Sequence, residues 1–492
     1  MILSLKNSLV ILFISSTTTF SFSQDFNNNP ADSSSTYIEV SGLGSTIERT
    51  PFWLQANKFG TVSKQSPTGT IRSGIEKHWK LTKGSTQKKG FSLGIGAEVV
   101  GNLNSASELL LPQLNGSIKF RNWEIFVGRK KQWVGLADST LGTGSYAWST
   151  NALPIPKFQI GTTDFVSVPF TKGWLSFNGF YSDGFLDKNR PVTTELKMHQ
   201  KALYLRLGKA GSRFRVYGGF NHQVEWGGKT PYNTLDGQMP NGFKNYLNVI
   251  FGKAHTKTPT VFDSTGRVGN HLGSIDLAFE IDTYGFTVFA YRQSLYDDGS
   301  LIWLNNIGDG LNGIRIKKKN HYGGAFEINQ FVFEFLYTKS QGGPTAIWTE
   351  GKNRGKDDYF NNAQVRDGWS YYDRTIGTPF IPPTSDTQAN WPTYADFFTS
   401  NNRVSVIHLG LSGTMFRTVD WYTKVSYSSN AGTYNLPFET TPKQFSGILG
   451  LQTRISWFGG SILKGSVALD NGQLYSNTVG YSLGLRKNFS IK

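Results

Sequence analysis

The chain contains no cysteine in 492 residues. That removes any disulfide framework, and with no cysteine beside the N-terminal leader it removes a lipoprotein anchor as well. Long apolar runs are equally missing. Only 38% of residues are hydrophobic, and past the leader no stretch is long enough to cross a bilayer as a helix. The apolar blocks and helices that a soluble core of this length requires are scarce too. Chemical motifs are lacking: His78, His199, His222, His255, His271, His321 and His408 show neither an HExxH pattern nor paired metal spacing. No P-loop or dinucleotide fingerprint appears. Two Gly-x-Ser-x-Gly matches, Gly90–Gly94 and Gly480–Gly484, lie inside alternating segments, whereas a nucleophile elbow needs a strand, a sharp turn and then a helix. The expectation is therefore no enzyme, no cofactor and no metal.

What the chain does hold is aromatic and glycine-rich: 36 Phe, 21 Tyr and 13 Trp, 14% of all residues, beside 55 Gly. A transmembrane barrel uses such a composition, because each strand shows lipid only every second side chain and Trp and Tyr form girdles at both interfaces. The first residues read as a secretory leader over 1–23. Lys6 is its positive end, Leu9–Ile14 its apolar stretch, and Ser21 and Ser23 the small residues that a signal peptidase reads. Residues 24–35 form a short periplasmic segment, and 36–492 the barrel.

Alternation with period two recurs from end to end. Leu203, Leu205 and Leu207 take one face, and Tyr204 and Arg206 the other. Phe214, Val216 and Phe220 alternate with Arg213, Arg215 and Tyr217, and Phe331, Phe333, Phe335 and Tyr337 oppose Glu334 and Thr338. Charges on the inner face would be costly in a dry sandwich core and are natural in a wet lumen. The spacing predicts 18 antiparallel strands near 36–47, 70–82, 90–101, 112–120, 123–129, 157–163, 173–182, 199–207, 213–223, 271–281, 284–293, 320–328, 331–340, 403–413, 419–428, 444–456, 461–470 and 477–489. Tight turns such as Trp457–Gly460, Asn329-Gln330, Asp282-Thr283 and Gly208–Gly211 alternate with long stretches near 183–197, 228–269, 294–319, 341–402 and 429–443. Short periplasmic turns and long extracellular loops are the pattern of a bacterial outer-membrane barrel. In the first outer loop Thr50 can cap a helix that starts at Pro51 and closes at Gly60.

The net charge is +16, or +15 once Lys6 leaves with the leader. An exported barrel meets no nucleic acid. Phosphates of outer-membrane lipid or an acidic polysaccharide are the counter-charges, unless the charge is simply spread over turns and lumen. The longest loop, 341–402, holds Trp348, Tyr359, Trp369, Tyr371, Tyr372, Trp391 and Tyr394, interleaved with Asp367, Asp373 and Arg374. Flat rings beside carboxylates and guanidinium groups suit carbohydrate, whose C–H faces stack and whose hydroxyls bond. A loop folded inward as a plug uses the same residue types, and both readings stand. A second unusual stretch runs from Gly128 to Trp174, where Pro154 and Pro156 rule out regular pairing and fix an extended approach to the next strand.

Gln132-Trp133-Val134-Gly135, Asn151–Pro156, Glu225-Trp226-Gly227-Gly228 and Asp367–Tyr372 occur in family order at similar spacing. With these motifs the chain resembles the Wzi family of capsule-assembly outer-membrane proteins, in the form found in Bacteroidetes. The resemblance implies a monomeric 18-stranded barrel in the outer membrane that binds capsular or other surface polysaccharide, lectin-like, and ties it to the cell surface. Proteobacterial relatives carry a helical segment that closes the periplasmic end, and the dozen residues ahead of the first strand here are too few for one. The residues assigned to polysaccharide are Asp367, Trp369, Tyr371, Tyr372 and Asp373, with Trp133 and Trp226 beneath them at the rim. The competing reading is a porin or transporter for sugars or hydrophobic solutes.

Overall fold

The computed structural model describes residues 34–81, 90–254, 262, 266–297, 299–320, 323–347 and 354–489. The leader and most of the segment before the first strand fall outside them, as does Trp348. Antiparallel strands make the wall: β1 (Ser34–Ser45), β2 (Thr68–Lys80), β3 (Phe91–Leu103), β4 (Glu108–Phe120), β5 (Trp123–Arg129) and β6 (Lys157–Thr162). They continue as β7 (Leu175–Phe185), β8 (Lys197–Leu207), β9 (Phe214–Trp226), β10 (Asn270–Asp282), β11 (Phe286–Tyr296) and β12 (Gly310–Lys318). The last six are β13 (Phe326–Tyr337), β14 (Val404–Met415), β15 (Val419–Asn430), β16 (Lys443–Ile455), β17 (Ser461–Gly472) and β18 (Thr478–Phe489). Val166–Ser167 extends β6 along the same neighbour, β7. β1 pairs with β18 as well as with β2, so the barrel closes at 18 strands and no edge is left with unpaired backbone.

The alternation sorts the side chains as read. Leu205 is 42% exposed on the outer face and Tyr204 5% exposed on the inner. On β9, Phe214 and Val216 face out, while Arg215 turns in and pairs with Glu280 at 2.7 Å. Short turns gather at one end of the barrel, among them Arg121-Asn122 and residues 283–285 and 416–418, and the long loops 130–156, 227–269 and 338–403 lie at the other. The short-turn end is periplasmic.

Two expectations are corrected. The strand expected over 320–328 is instead 310–318, inside the stretch read as a loop; residues 326–328 open β13, and Asn329-Gln330 lies within that strand and is not a turn. The register between β13 and β14 shifts between Ile328 and Gln330, a bulge that carries the outward phase from Phe326 and Ile328 to Phe331 and Phe333. A phase switch of one residue looks like a strand break to period-two reading. The helix expected over 51–60 is a single turn, α1 (Phe52–Gln55), with Pro51 rather than Thr50 at its cap. It stops because Ala56 is extended and Phe59 donates its backbone N–H across the lumen to the Thr150 carbonyl.

A second helix, α2 (Phe243–Phe251), lies on the outside of the wall. Its Tyr246 hydroxyl reaches Asp183 at 2.6 Å and its Val249 packs with Val224 and Trp226. Those wall residues share their strand faces with Phe185, Phe214 and Val216, which are exposed outside the barrel.

Candidate functional site

The lumen is filled from the extracellular side by three segments: α1 with its flanks, residues 130–156, and the loop 338–403. Strand side chains that point inward act as hooks for plug backbone. Asp276 accepts the Leu136 N–H at 2.9 Å, Gln293 the Tyr146 N–H at 3.0 Å, and Gln223 donates to the Ala147 carbonyl at 2.7 Å. Asp470 caps Phe52 at 2.9 Å and Ser426 takes the Trp53 indole N–H at 3.2 Å. The long loop then bonds to the plug itself: Ser149 N–H to the Ile376 carbonyl at 2.9 Å, and the Asn151 amide to the Thr375 carbonyl at 3.1 Å. Tyr146 packs edge-on against Tyr359 and Phe360.

Of the four motifs singled out in the sequence, Asp367–Tyr372 lies in this loop, Asn151 bonds to it, and Glu225 stands beside the arginine that holds it, while Gln132–Gly135 lies in the plug. Asp367 accepts the Thr193 N–H at 2.6 Å and the Val192 N–H at 3.1 Å. Arg190 donates to the carbonyls of Gly368 and Ser370 at 2.9 Å each, and stands 3.6 Å from Glu225 and 3.5 Å from Asp367. One buried arginine thus ties a rim strand, a neighbouring loop and the hairpin Ser370–Thr375 together. Gly368 holds φ +54° where a Cβ would sit 2.1 Å from the Phe360 carbonyl oxygen, so only glycine fits there.

The seven assigned residues have different surroundings. Trp369 is fully buried, and so is Tyr371, whose hydroxyl burial pushes upward in pKa while Arg129 donates to it at 2.8 Å. Asp367 is buried in the arginine network. Tyr372, half exposed at 50%, and Asp373 form the tip of the hairpin. Trp133 is half-buried on the underside of the plug, where its indole N–H bonds to the Gly135 carbonyl at 3.2 Å. Trp226 lies on the outer wall under α2, with Lys197 4.7 Å from its ring. The long loop therefore brings five of the seven together, and only Tyr372 and Asp373 face solvent.

The tip is held in an uncommon conformation. Tyr372 (φ 49°) and Asp373 (φ 55°) both occupy the left-handed region, the two central positions of a type I′ hairpin, where Asn-Gly is the easy choice. A bulky tyrosine there stores strain, which persists because the surroundings fix it. Asp187 accepts the Tyr372 N–H at 3.1 Å, the Arg129 guanidinium stands 5.6 Å from the Tyr372 ring, and Lys64 bridges Asp373 at 3.0 Å and Asp386 at 2.8 Å. An exposed ring is set among a guanidinium, an ammonium and carboxylates.

A second exposed cluster was not singled out in the sequence. Arg366 lies 3.3 Å over the Tyr232 ring, Tyr394 and Phe397 stack at 4.8 Å, and Tyr232 bonds to Asp396, which raises the tyrosine pKa. Its members come from two loops more than 130 positions apart, and no local pattern joins them.

The model of the family Capsule assembly protein Wzi matches residues 48–409. Among solved structures, Wzi of Escherichia coli, described as an outer membrane protein involved in group 1 capsule assembly and a carbohydrate-binding β-barrel, is similar to this chain. The identity is 14% and the TM-score 0.56, over 94% of this chain and 85% of that one. OccK5 (OpdH) of Pseudomonas aeruginosa covers 94% and 99% of the two chains at 9% identity and a TM-score of 0.48. No curated protein matches.

Proposed function

The chain belongs to the Wzi capsule assembly family, and from that premise we propose that it binds capsular or other surface polysaccharide, lectin-like, and anchors it at the cell surface as a monomer. It is an outer-membrane barrel: the wall closes at 18 strands and its outer face is apolar. The observation that carries the binding reading is the hairpin tip, an aromatic ring in a strained turn, exposed among Arg129, Lys64, Asp187 and Asp373. Such a ring stacks on a sugar face while the charges bond its hydroxyls or acid groups. Trp369 and Tyr371 support the site by holding the tip in place. Weak contacts repeated along a polymer add up, so modest affinity per repeat suffices.

Binding is the role assigned, not catalysis. Both Gly-x-Ser-x-Gly serines sit within strands, Ser92 in β3 and Ser482 in β18, and Ser482 shares its hydroxyl bond with Ser466 at 2.7 Å. The plug across the lumen supports the lectin reading over the porin reading. The test is a glycan-binding assay on purified full-length protein with the host's own capsule and with neutral dextran. Retention of capsule alone, lost in Tyr372→Ala/Asp373→Ala, is the expected result. Equal binding of both polymers, or of capsule by the double variant, would overturn it.

A further inference from the structure

Beneath the plug lies a cavity of about 840 Å³ that reaches down to Asp164 and Phe165, near the periplasmic end of the wall. Its volume is in the range of ligand pockets. Seven lysines and arginines line it against Glu39, Glu124 and Asp164. Five of those cations share three carboxylates: Lys130 pairs with Glu124, Lys131 and Arg72 with Glu98, and Lys464 and Arg486 with Glu39. The other two, Lys58 and Lys424, have no carboxylate within ion-pair distance among the described residues. Lys424 donates to the Gly142 carbonyl at 3.4 Å and stands 4.7 Å from the Trp53 ring, and Lys58 lies 5.9 Å from that of Tyr422. Lys424 is buried in the wall and Lys58 is exposed within the cavity on the underside of the plug. Two lysines without a carboxylate partner in a confined lumen draw an anion, because water screens poorly there. The half-buried Tyr422 ring beside Lys58 supplies the flat surface that a pyranose needs.

We infer that this chamber is a second glycan site, facing away from the cell surface and taking an acidic sugar whose carboxylate is held by Lys58 and Lys424 while its ring lies against Tyr422. The choice of a sugar acid as the anion rests on the polysaccharide reading above; the chamber itself does not. The test is equilibrium dialysis of the full-length protein in detergent with trigalacturonate, maltotriose and inorganic phosphate. Trigalacturonate should bind and maltotriose should not. Affinity should fall tenfold or more in Lys58→Glu, an exposed position that leaves the plug intact, and stay unchanged in Tyr372→Ala/Asp373→Ala. Wild-type affinity in Lys58→Glu would overturn the site. Displacement of trigalacturonate by millimolar phosphate would overturn the sugar as its ligand. Loss of binding in the tip variant with Lys58→Glu unaffected would place the contact at the extracellular mouth instead.

A separate observation carries a second assignment. On α2, Phe243, Leu247 and Phe251 fall four residues apart on one stripe, and Phe243 and Phe251 are 75% and 67% exposed. The opposite side of the helix is sealed against the outer wall by Tyr246 and Val249. A stripe outside the barrel, at the same end of the wall as the exposed Phe185, fits outer-leaflet acyl chains. The geometry points to α2 as a helix lying in the outer leaflet. With no native cysteine, Leu247→Cys, Phe251→Cys, Lys244→Cys and, in the belt, Leu277→Cys can each carry one spin label in lipid vesicles. Labels at 247 and 251 should be relaxed by oxygen more than by a nickel chelate, as at 277, and the label at 244 the reverse. Nickel-dominated relaxation at 247 and 251 would overturn it.

Discussion

In the wall, Leu203, Leu205 and Leu207 face lipid and Tyr204 faces the lumen because a strand turns its side chains over at every step. In the plug, Trp369 and Tyr372 are three residues apart on one short hairpin, yet the first is sealed and the second is half exposed. No period separates them. The segment that carries Trp369 is tied down from elsewhere in the chain, by Arg190, which holds the carbonyls on either side of it. The wall therefore draws its order from local alternation, and the plug from long-range polar bonds that single substitutions can undo.

That contrast sets the expected outcomes, largest first. Asp367→Ala leaves the backbone donors of Val192 and Thr193 and the Arg190 guanidinium short of an acceptor in a buried network, a loss on the order of 3–5 kcal/mol. The plug should loosen while the wall persists: current steps should appear in a planar bilayer, and the folded band should still resist detergent in the cold. A silent bilayer with unchanged stability would erase the distinction between the two regions. Leu277→Arg places a charge on the lipid face of β10, which costs roughly 2–4 kcal/mol near the midplane. Urea unfolding in vesicles should shift accordingly, with the lumen still closed.

Smaller effects belong to the tip. Tyr372→Ala removes one exposed ring, worth about 0.5–1.5 kcal/mol of stacking, so glycan affinity should weaken several-fold with no loss of thermal stability. A drop in stability as large as that of Asp367→Ala would make the tip part of the plug's framework. Asp373→Asn should change least. Lys64 keeps Asp386 at 2.8 Å, and an exposed ion pair contributes under ~1 kcal/mol. Its melting temperature should match the parent's, and only a salt-sensitive part of glycan binding should move.

Much of the wall was legible before any coordinates. The strand at 123–129 has the bounds read from its alternation, and the partition of Arg215 and Glu334 to the lumen follows from the same period. The reading failed where a bulge changed the phase. The switch at Asn329 was read as a turn and displaced the neighbouring strand from 310–318 to 320–328. It overextended α1 for a different reason. Asn57 donates its side-chain amide to the Thr143 carbonyl at 2.9 Å, a bond into a segment some ninety positions away that turns the chain out of the helix. The aromatic loop was recognised from composition, which does not distinguish a ring that packs from one that is presented. The Tyr232–Arg366 cluster left no local mark at all.

Side-chain period, turn spacing and the absence of cysteine and apolar runs were enough to specify a closed, wet-lumen membrane barrel, because each follows from the backbone geometry of one strand and its neighbour. Which aromatics are sealed, how the lumen is blocked, that Trp226 lies outside the wall, and that Lys58 and Lys424 line one chamber with no carboxylate at ion-pair distance were decided only in three dimensions. Those contacts join positions tens to hundreds of residues apart, and their energies depend on burial that no local pattern encodes.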